Sequence, residues 1–83
     1  MNSSDQIQVK IVAFGIAQEI IGSSSIIIHC EPTLNACKEN LKTMFPNLTK
    51  EFIQYAVNKQ IVSENISLNS HCEIALLPPF SGG

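Results

Sequence analysis

The sequence predicts a two-layer α+β domain, in which a mixed sheet packs on one main helix. Three observations predict it. Segments with strand-like alternation bracket a single long amphipathic stretch. The chain has 83 residues, the size of one domain. Hydrophobic residues make up 45% of it and charged residues 14%, a composition able to form a core.

The first element lies in residues 7–14. Ile7, Val9, Ile11 and Ala13 alternate with Gln8 and Lys10, the period of a half-buried strand, and Gly15 ends it. Residues 16–21 form a short helix or turn, closed by Gly22 as a C-cap. After the Ser23-Ser24-Ser25 loop, Ile26, Ile28 and Cys30 share one face of a second strand.

Pro32-Thr33 starts the main helix, with Thr33 placed to cap the free N–H groups of its first turn. Leu34, Cys37, Leu41, Met44 and Phe45 form its apolar stripe. Asn35, Lys38, Glu39 and Lys42 fall on the polar side, and Pro46 stops the helix. Residues 52–57 are rich in aromatic and β-branched types and read as a strand. Asn58-Lys59 makes a hairpin turn, because Asn tolerates positive φ, and residues 60–63 return. A polar loop over 65–71 is pinned by Ile66 and Leu68, and Cys72 to Leu77 is the last strand. This order and size are those of the β-grasp, or ubiquitin-like, roll.

Composition excludes several classes of function. A chain this short buries only roughly 60% of its unfolded surface, which leaves little room for an enclosed active site. Lys and Arg number 5 against 7 Asp and Glu, with no basic cluster to neutralise phosphates, so nucleic acid is not an expected partner. The longest apolar runs, such as Ile26-Ile27-Ile28, are too short to cross a bilayer. Residues 1–6 have neither the charge nor the apolar core of a secretory signal, so the cytoplasm is the expected location. Cys30, Cys37 and Cys72 are odd in number and form no CxxC pair. That argues against a disulfide framework and against a metal site. Each falls in an apolar pattern, where a free cysteine behaves as a small buried hydrophobe.

The C-terminal segment carries the chemistry. Residues 1–77 make the domain, and residues 78–83, Pro78-Pro79-Phe80-Ser81-Gly82-Gly83, an extended tail. Neither proline can donate to a ladder, so the chain leaves the sheet there. At roughly 3.3 Å per extended residue, six residues reach about 20 Å, enough to enter a partner's cleft. Gly82 and Gly83, lacking Cβ, can pass a narrow channel and leave the terminal carboxylate unhindered. Gly-Gly alone is common in frayed termini. A double proline leaving a strand, then an aromatic and a terminal Gly-Gly, is a far more specific pattern.

Residues 68–83 resemble the end of the small subunit of molybdopterin synthase. The Glu73-Ile74-Ala75-Leu76-Leu77-Pro78-Pro79 run and Ser81-Gly82-Gly83 carry the likeness most closely. Val9-Lys10-Ile11, Phe14-Gly15, Ala17-Gln18-Glu19-Ile20 and Ala56-Val57-Asn58-Lys59 extend it along most of the chain. Two departures stand out. Where the family often has Gly-Asp before the last strand, this chain has His71-Cys72, so His71 must take up the turn geometry. Where the family often has basic residues, it has Ile16 and Gln18.

The resemblance implies a sulfur carrier of molybdenum cofactor biosynthesis, with no catalytic side chains of its own. It implies that a ubiquitin-activating-type adenylyltransferase, using ATP and magnesium, converts Gly83 to an acyl adenylate. A persulfide sulfur donor then leaves a thiocarboxylate on Gly83. It further implies docking on the large subunit of molybdopterin synthase and sulfur transfer to a cyclic pyranopterin phosphate. On this reading Gly82 and Ser81 line the passage, while Pro78, Pro79 and Phe80 aim the tail and contact the partner. Phe14 is a candidate for a docking patch and equally for a core position. His29 and His71 lack an orienting carboxylate at useful spacing and read as strand-end or loop residues. Glu19 and Glu73 read as a solvated face. The rival readings are a sulfur carrier for thiamine synthesis or tRNA thiolation, a ubiquitin-like protein modifier, and a binding module with an inert tail.

Overall fold

A computed structural model describes residues 6–50 and 53–78 of the chain. Along it run β1 (Ile7–Ala13), α1 (Gly15–Ile21), β2 (Ser25–Cys30), α2 (Leu34–Met44), a 3₁₀ helix (Pro46–Lys50), β3 (Gln54–Val57), β4 (Gln60–Val62) and β5 (Cys72–Leu77). The strands form one sheet in the order β2-β1-β5-β3-β4. β1 and β5 are parallel; the other neighbours are antiparallel. The last strand in sequence therefore lies at the centre of the sheet.

Period-two alternation sorts each strand into two faces. Val9, Ile11 and Ala13 of β1 face the core beside Ile28 and Cys30 of β2 and Cys72, Ile74 and Leu76 of β5. α2 closes this core with Leu34, Cys37 and Leu41, none of them exposed. Thr33 caps α2 as its sequence position predicts: its Oγ1 accepts from the Ala36 N–H at 3.1 Å. Gly22 ends α1 in the left-handed region, φ 83°, and its N–H donates to the Gln18 carbonyl at 2.8 Å.

The expected apolar stripe of α2 ends early. Met44 is 48% exposed. The helix stops there, with φ −132° at Phe45, and the 3₁₀ helix carries Leu48 into the core in its place, 2% exposed. Lys38 is not simply solvated: its ammonium lies 4.7 Å from the ring centroid of Tyr55, a cation–π contact. The third strand, expected over 52–57, starts at Gln54; residue 53 precedes it, and residue 52 lies outside the described residues.

The loop before β5 is tied to the start of α2. Leu34 N–H donates to the Ile66 carbonyl, Leu68 N–H to the Pro32 carbonyl, and Asn35 N–H to Asn65 Oδ1. Leu68 is buried, as its place in the polar loop predicts. Asn58 and Lys59, at φ 49° and 75°, make the two-residue turn between β3 and β4. His71 stands at φ 67°, the turn geometry that a Gly would adopt without strain.

Candidate functional site: the end of β5 and the open face of the sheet

The chain leaves the sheet at Pro78, between the end of β1 and the beginning of β3. Leu76 pairs with Ala13 on one side and Tyr55 on the other, and Leu77 pairs with Gln54. One further hydrogen bond, from the Phe14 N–H to the Leu76 carbonyl at 3.1 Å, holds the end of β5 to the β1–α1 turn. That turn needs Gly15, whose φ is 58°. A Cβ there would lie 3.9 Å from Pro78 Cγ, an ordinary contact, so the backbone angle and not space calls for glycine. The first tail residue thus rests against a turn pinned to a central strand.

α2 packs on one face of the sheet; the opposite face carries a second apolar row. Val12 of β1 pairs with Ala75 of β5, Ala75 with Ala56 of β3, and Ala56 with Ile61 of β4. The row crosses four strands and ends at Ile61, which is 61% exposed. One row nearer the tail stand Leu77 and Gln54, with Phe14 beside them. Of the two positions open to Phe14, the structure gives the surface one, at 46% exposure, and neighbouring Ile16 is also exposed. A row of apolar side chains continuous with the point where the tail departs has the form of a protein-docking surface.

Sequence reasoning found Pro78 and Phe14 but missed Val12, Ala75, Leu77 and Ile61 as members of an outer face. The signal was present: alternation that points Ile74 and Leu76 inward must point Ala75 and Leu77 outward. Pro79, Phe80, Ser81, Gly82 and Gly83 lie outside the described residues. His29, His71 and Glu19 are exposed, and Glu73 is half-buried. Among the described residues no His, Cys, Asp and Glu cluster could hold a metal ion. No described helix is long and apolar enough to cross a membrane.

The three thiols are buried and free. Burial pushes Cys37 up to about 12, and it raises Cys30 and Cys72 as well. A thiol is nucleophilic as its thiolate, so these side chains are poorly suited to carry sulfur between partners.

Strand order, the single long helix over one face and the open opposite face define a ubiquitin-like β-grasp protein. Solved structures that superpose on it share that fold. One, provisionally named molybdopterin converting factor subunit 1, from Pyrococcus furiosus, superposes with a TM-score of 0.82 at 19% identity, over 89% of this chain and 99% of its own. Another, the small archaeal modifier protein 1 of Methanosarcina acetivorans, does so with a TM-score of 0.78 at 20% identity, over 94% and 98%. At such identities the likeness shows the fold alone. In sequence, the ThiS family matches residues 11–83, and the chain belongs to that family. A Dictyostelium discoideum relative, named molybdopterin synthase sulfur carrier subunit, is 39% identical over 92% of this chain and 96% of its own length. The likeness is therefore not confined to the tail: it extends over 92% of the chain.

Proposed function

We propose that this chain is a sulfur carrier of molybdenum cofactor biosynthesis that bears its sulfur as a thiocarboxylate on Gly83. The observation that carries this reading is the 39% identity with a relative named molybdopterin synthase sulfur carrier subunit. Two features support it. β5 brings the chain to Pro78 from the centre of the sheet, and the apolar outer row beside that point gives a partner something to hold.

The chemistry follows from an unhindered terminal carboxylate. A Gly83 carboxylate oxygen attacks the α-phosphorus of ATP on a ubiquitin-activating-type adenylyltransferase, magnesium assists, and pyrophosphate leaves. The terminal sulfur of a persulfide donor attacks the acyl carbon and AMP leaves. Cleavage of the sulfur–sulfur bond by a reducing thiol then frees the thiocarboxylate. The domain docks on the large subunit of molybdopterin synthase through the Phe14–Leu77–Ile61 side. The tail enters that subunit's active site and sulfur passes to a cyclic pyranopterin phosphate. Pro78, Pro79 and Phe80 aim the tail, and Ser81 and Gly82 line the passage. The catalytic side chains belong to the partner, and the setting is the cytoplasm.

Intact mass after incubation with the adenylyltransferase, ATP and a sulfur donor tests the first half. A gain equal to exchange of one oxygen for sulfur is expected, and it disappears when Gly83 is deleted or followed by one added residue. Loading that survives the added residue overturns the terminal-carboxylate mechanism. Transfer to the large subunit and its pterin substrate tests the second half. Transfer only to a thiamine or tRNA thiolation system, or isopeptide conjugates in cell extracts, would assign one of the rival readings instead.

A further inference from the structure

A sheet ends in two edges, and the two edges of this one differ. β4 offers only Gln60–Val62. β2 offers Ser25–Cys30, with three consecutive isoleucines. It has no proline and no Lys, Arg, Asp or Glu, the residues that ordinarily keep an edge from pairing. The phase of the ladder fixes which of its backbone groups face outward. The Ala13 N–H donates to the Ser24 carbonyl at 2.9 Å, so the register makes Ile11–Ile26, Val9–Ile28 and Ile7–Cys30 the hydrogen-bonded pairs. The N–H and C=O groups of Ser25, Ile27 and His29 therefore point away from β1. Among the described residues no strand pairs with β2 on that side.

Side chains occupy both ends of this edge. Ser23 Oγ accepts from the Ser25 N–H at 3.3 Å and donates to the Ser25 carbonyl at 2.9 Å. Asn40 Nδ2 reaches across from α2 and donates to the His29 carbonyl at 3.0 Å. Between them the edge stays open at Ile27, whose side chain is 51% exposed.

We infer that the β2 edge is an interaction surface for a second copy of this chain, and that Ser23 and Asn40 are the side chains that keep it closed. Position selects the occupant. Ile27 is the middle of the outward-facing set, so a strand inverted about a two-fold axis through it matches every donor with an acceptor. Ile27 exchanges both backbone bonds with Ile27 of the second copy, Ser25 does so with His29 of the second copy, and Ile26 stands opposite Ile28. Charge agrees with this register. Glu31, the first charged residue after β2, faces the second copy's Ser23. Lys10 pairs with Ile27 on β1, which sets it three strand spacings, about 14 Å, from its counterpart. No like charges meet across the axis.

Area explains why two small side chains suffice as guards. A seam of one short strand against its copy is smaller than the ~1,200 Å² at which stable complexes begin. The gain from pairing is modest, so the outward groups of Ser25 and His29 decide between monomer and dimer. β1 stands between the seam and β5, so the strand that leads to the tail is not at the seam. The inference does not rest on the sulfur-carrier reading.

The test is sedimentation equilibrium of the full chain from about 10 µM to about 1 mM, which reads dissociation constants of the same order, together with amide hydrogen exchange. The wild type should run as a monomer, with the Ile27 and His29 amides exchanging fast and those of Ile26 and Ile28 slowly. Ser23→Ala combined with Asn40→Ala should tighten self-association tenfold or more and slow the Ile27 amide in the dimer. Adding Ile27→Lys should return that variant to monomer, since like charges then face each other at the axis. A double variant no more associated than the wild type, or a dimer indifferent to Ile27→Lys, overturns the inference. So does a slow Ile27 amide in the wild-type monomer, which would mean that another part of the chain covers the edge. The exchange pattern is read on the wild type, and Ser23→Ala alone, in an exposed loop, should shift association in the same direction if Asn40→Ala unfolds the chain.

Discussion

Asn58 holds both backbone groups of Glu73: its N–H donates to the Glu73 carbonyl at 2.8 Å, and its Oδ1 accepts from the Glu73 N–H at 3.1 Å. The β3–β4 turn is thereby fastened to the strand that carries the tail. Asn58 does this from φ 49°, which few side chains tolerate. Asn58→Gly keeps the angle and loses the side-chain bond, a cost of about 1 kcal/mol. Asn58→Ala also forces a Cβ into the left-handed region, which adds roughly 1–2 kcal/mol. Urea unfolding should rank wild type above Gly and Gly above Ala; an Ala variant as stable as the Gly variant would contradict this account.

His71 sits at φ 67° with its side chain exposed, while its N–H donates to the Gln8 carbonyl at 2.7 Å. The backbone bond survives substitution and the strain does not. His71→Gly should therefore stabilise the domain. The relief of about 1–3 kcal/mol exceeds the entropic cost of the added glycine. A lower urea midpoint for His71→Gly would show that the imidazole makes a contribution the backbone geometry does not reveal.

Ile61 separates docking from folding. Its side chain is mostly exposed at the end of the Val12–Ala75–Ala56 row. Ile61→Asp should change stability by less than about 0.5 kcal/mol, as surface substitutions do. On the proposed docking through this face, it should weaken binding to the large subunit by tenfold or more, about 1.4 kcal/mol, because a carboxylate is then desolvated against an apolar contact. Titration calorimetry reads the affinity. Unchanged affinity would move the contact away from this face of the sheet.

Much of this architecture was legible because the chain obeys simple periods. Val9, Ile11 and Ala13 announced β1, Thr33 announced the cap of α2, and Asn58-Lys59 announced the hairpin. What escaped was decided by three-dimensional packing. Leu48 enters the core through a 3₁₀ turn that follows Pro46, where no period extends long enough to reveal it. Met44 belongs to the helical stripe by spacing yet is exposed, while Phe45 and Leu48 just beyond it pack against the core. Lys38 was a surface charge until the fold set Tyr55 beneath it. The outer apolar row could not be read as a row, since Val12, Ala75, Ala56 and Ile61 come from four strands whose order the sequence does not state.

Cys37 predicts how stability depends on pH. Its folded value is pushed up to about 12 from an ordinary value of 9.0, chiefly by burial, with Cys30 adding to the rise. A raised folded value means that the folded state holds the thiol proton more tightly than the unfolded chain does. The contribution is fully present below pH 9 and is lost as pH climbs from 9 towards 12, at up to about 1.4 kcal/mol per pH unit for one group. Cys30, Cys72 and Tyr55 shift in the same direction and steepen the loss. Urea midpoints measured from pH 7 to 11 with a reductant present should be level and then fall beyond pH 9. Cys37→Ala should lower the plateau, since it opens a small cavity, and flatten the alkaline slope. An equal slope in the variant would assign the alkaline loss to the remaining thiols and Tyr55.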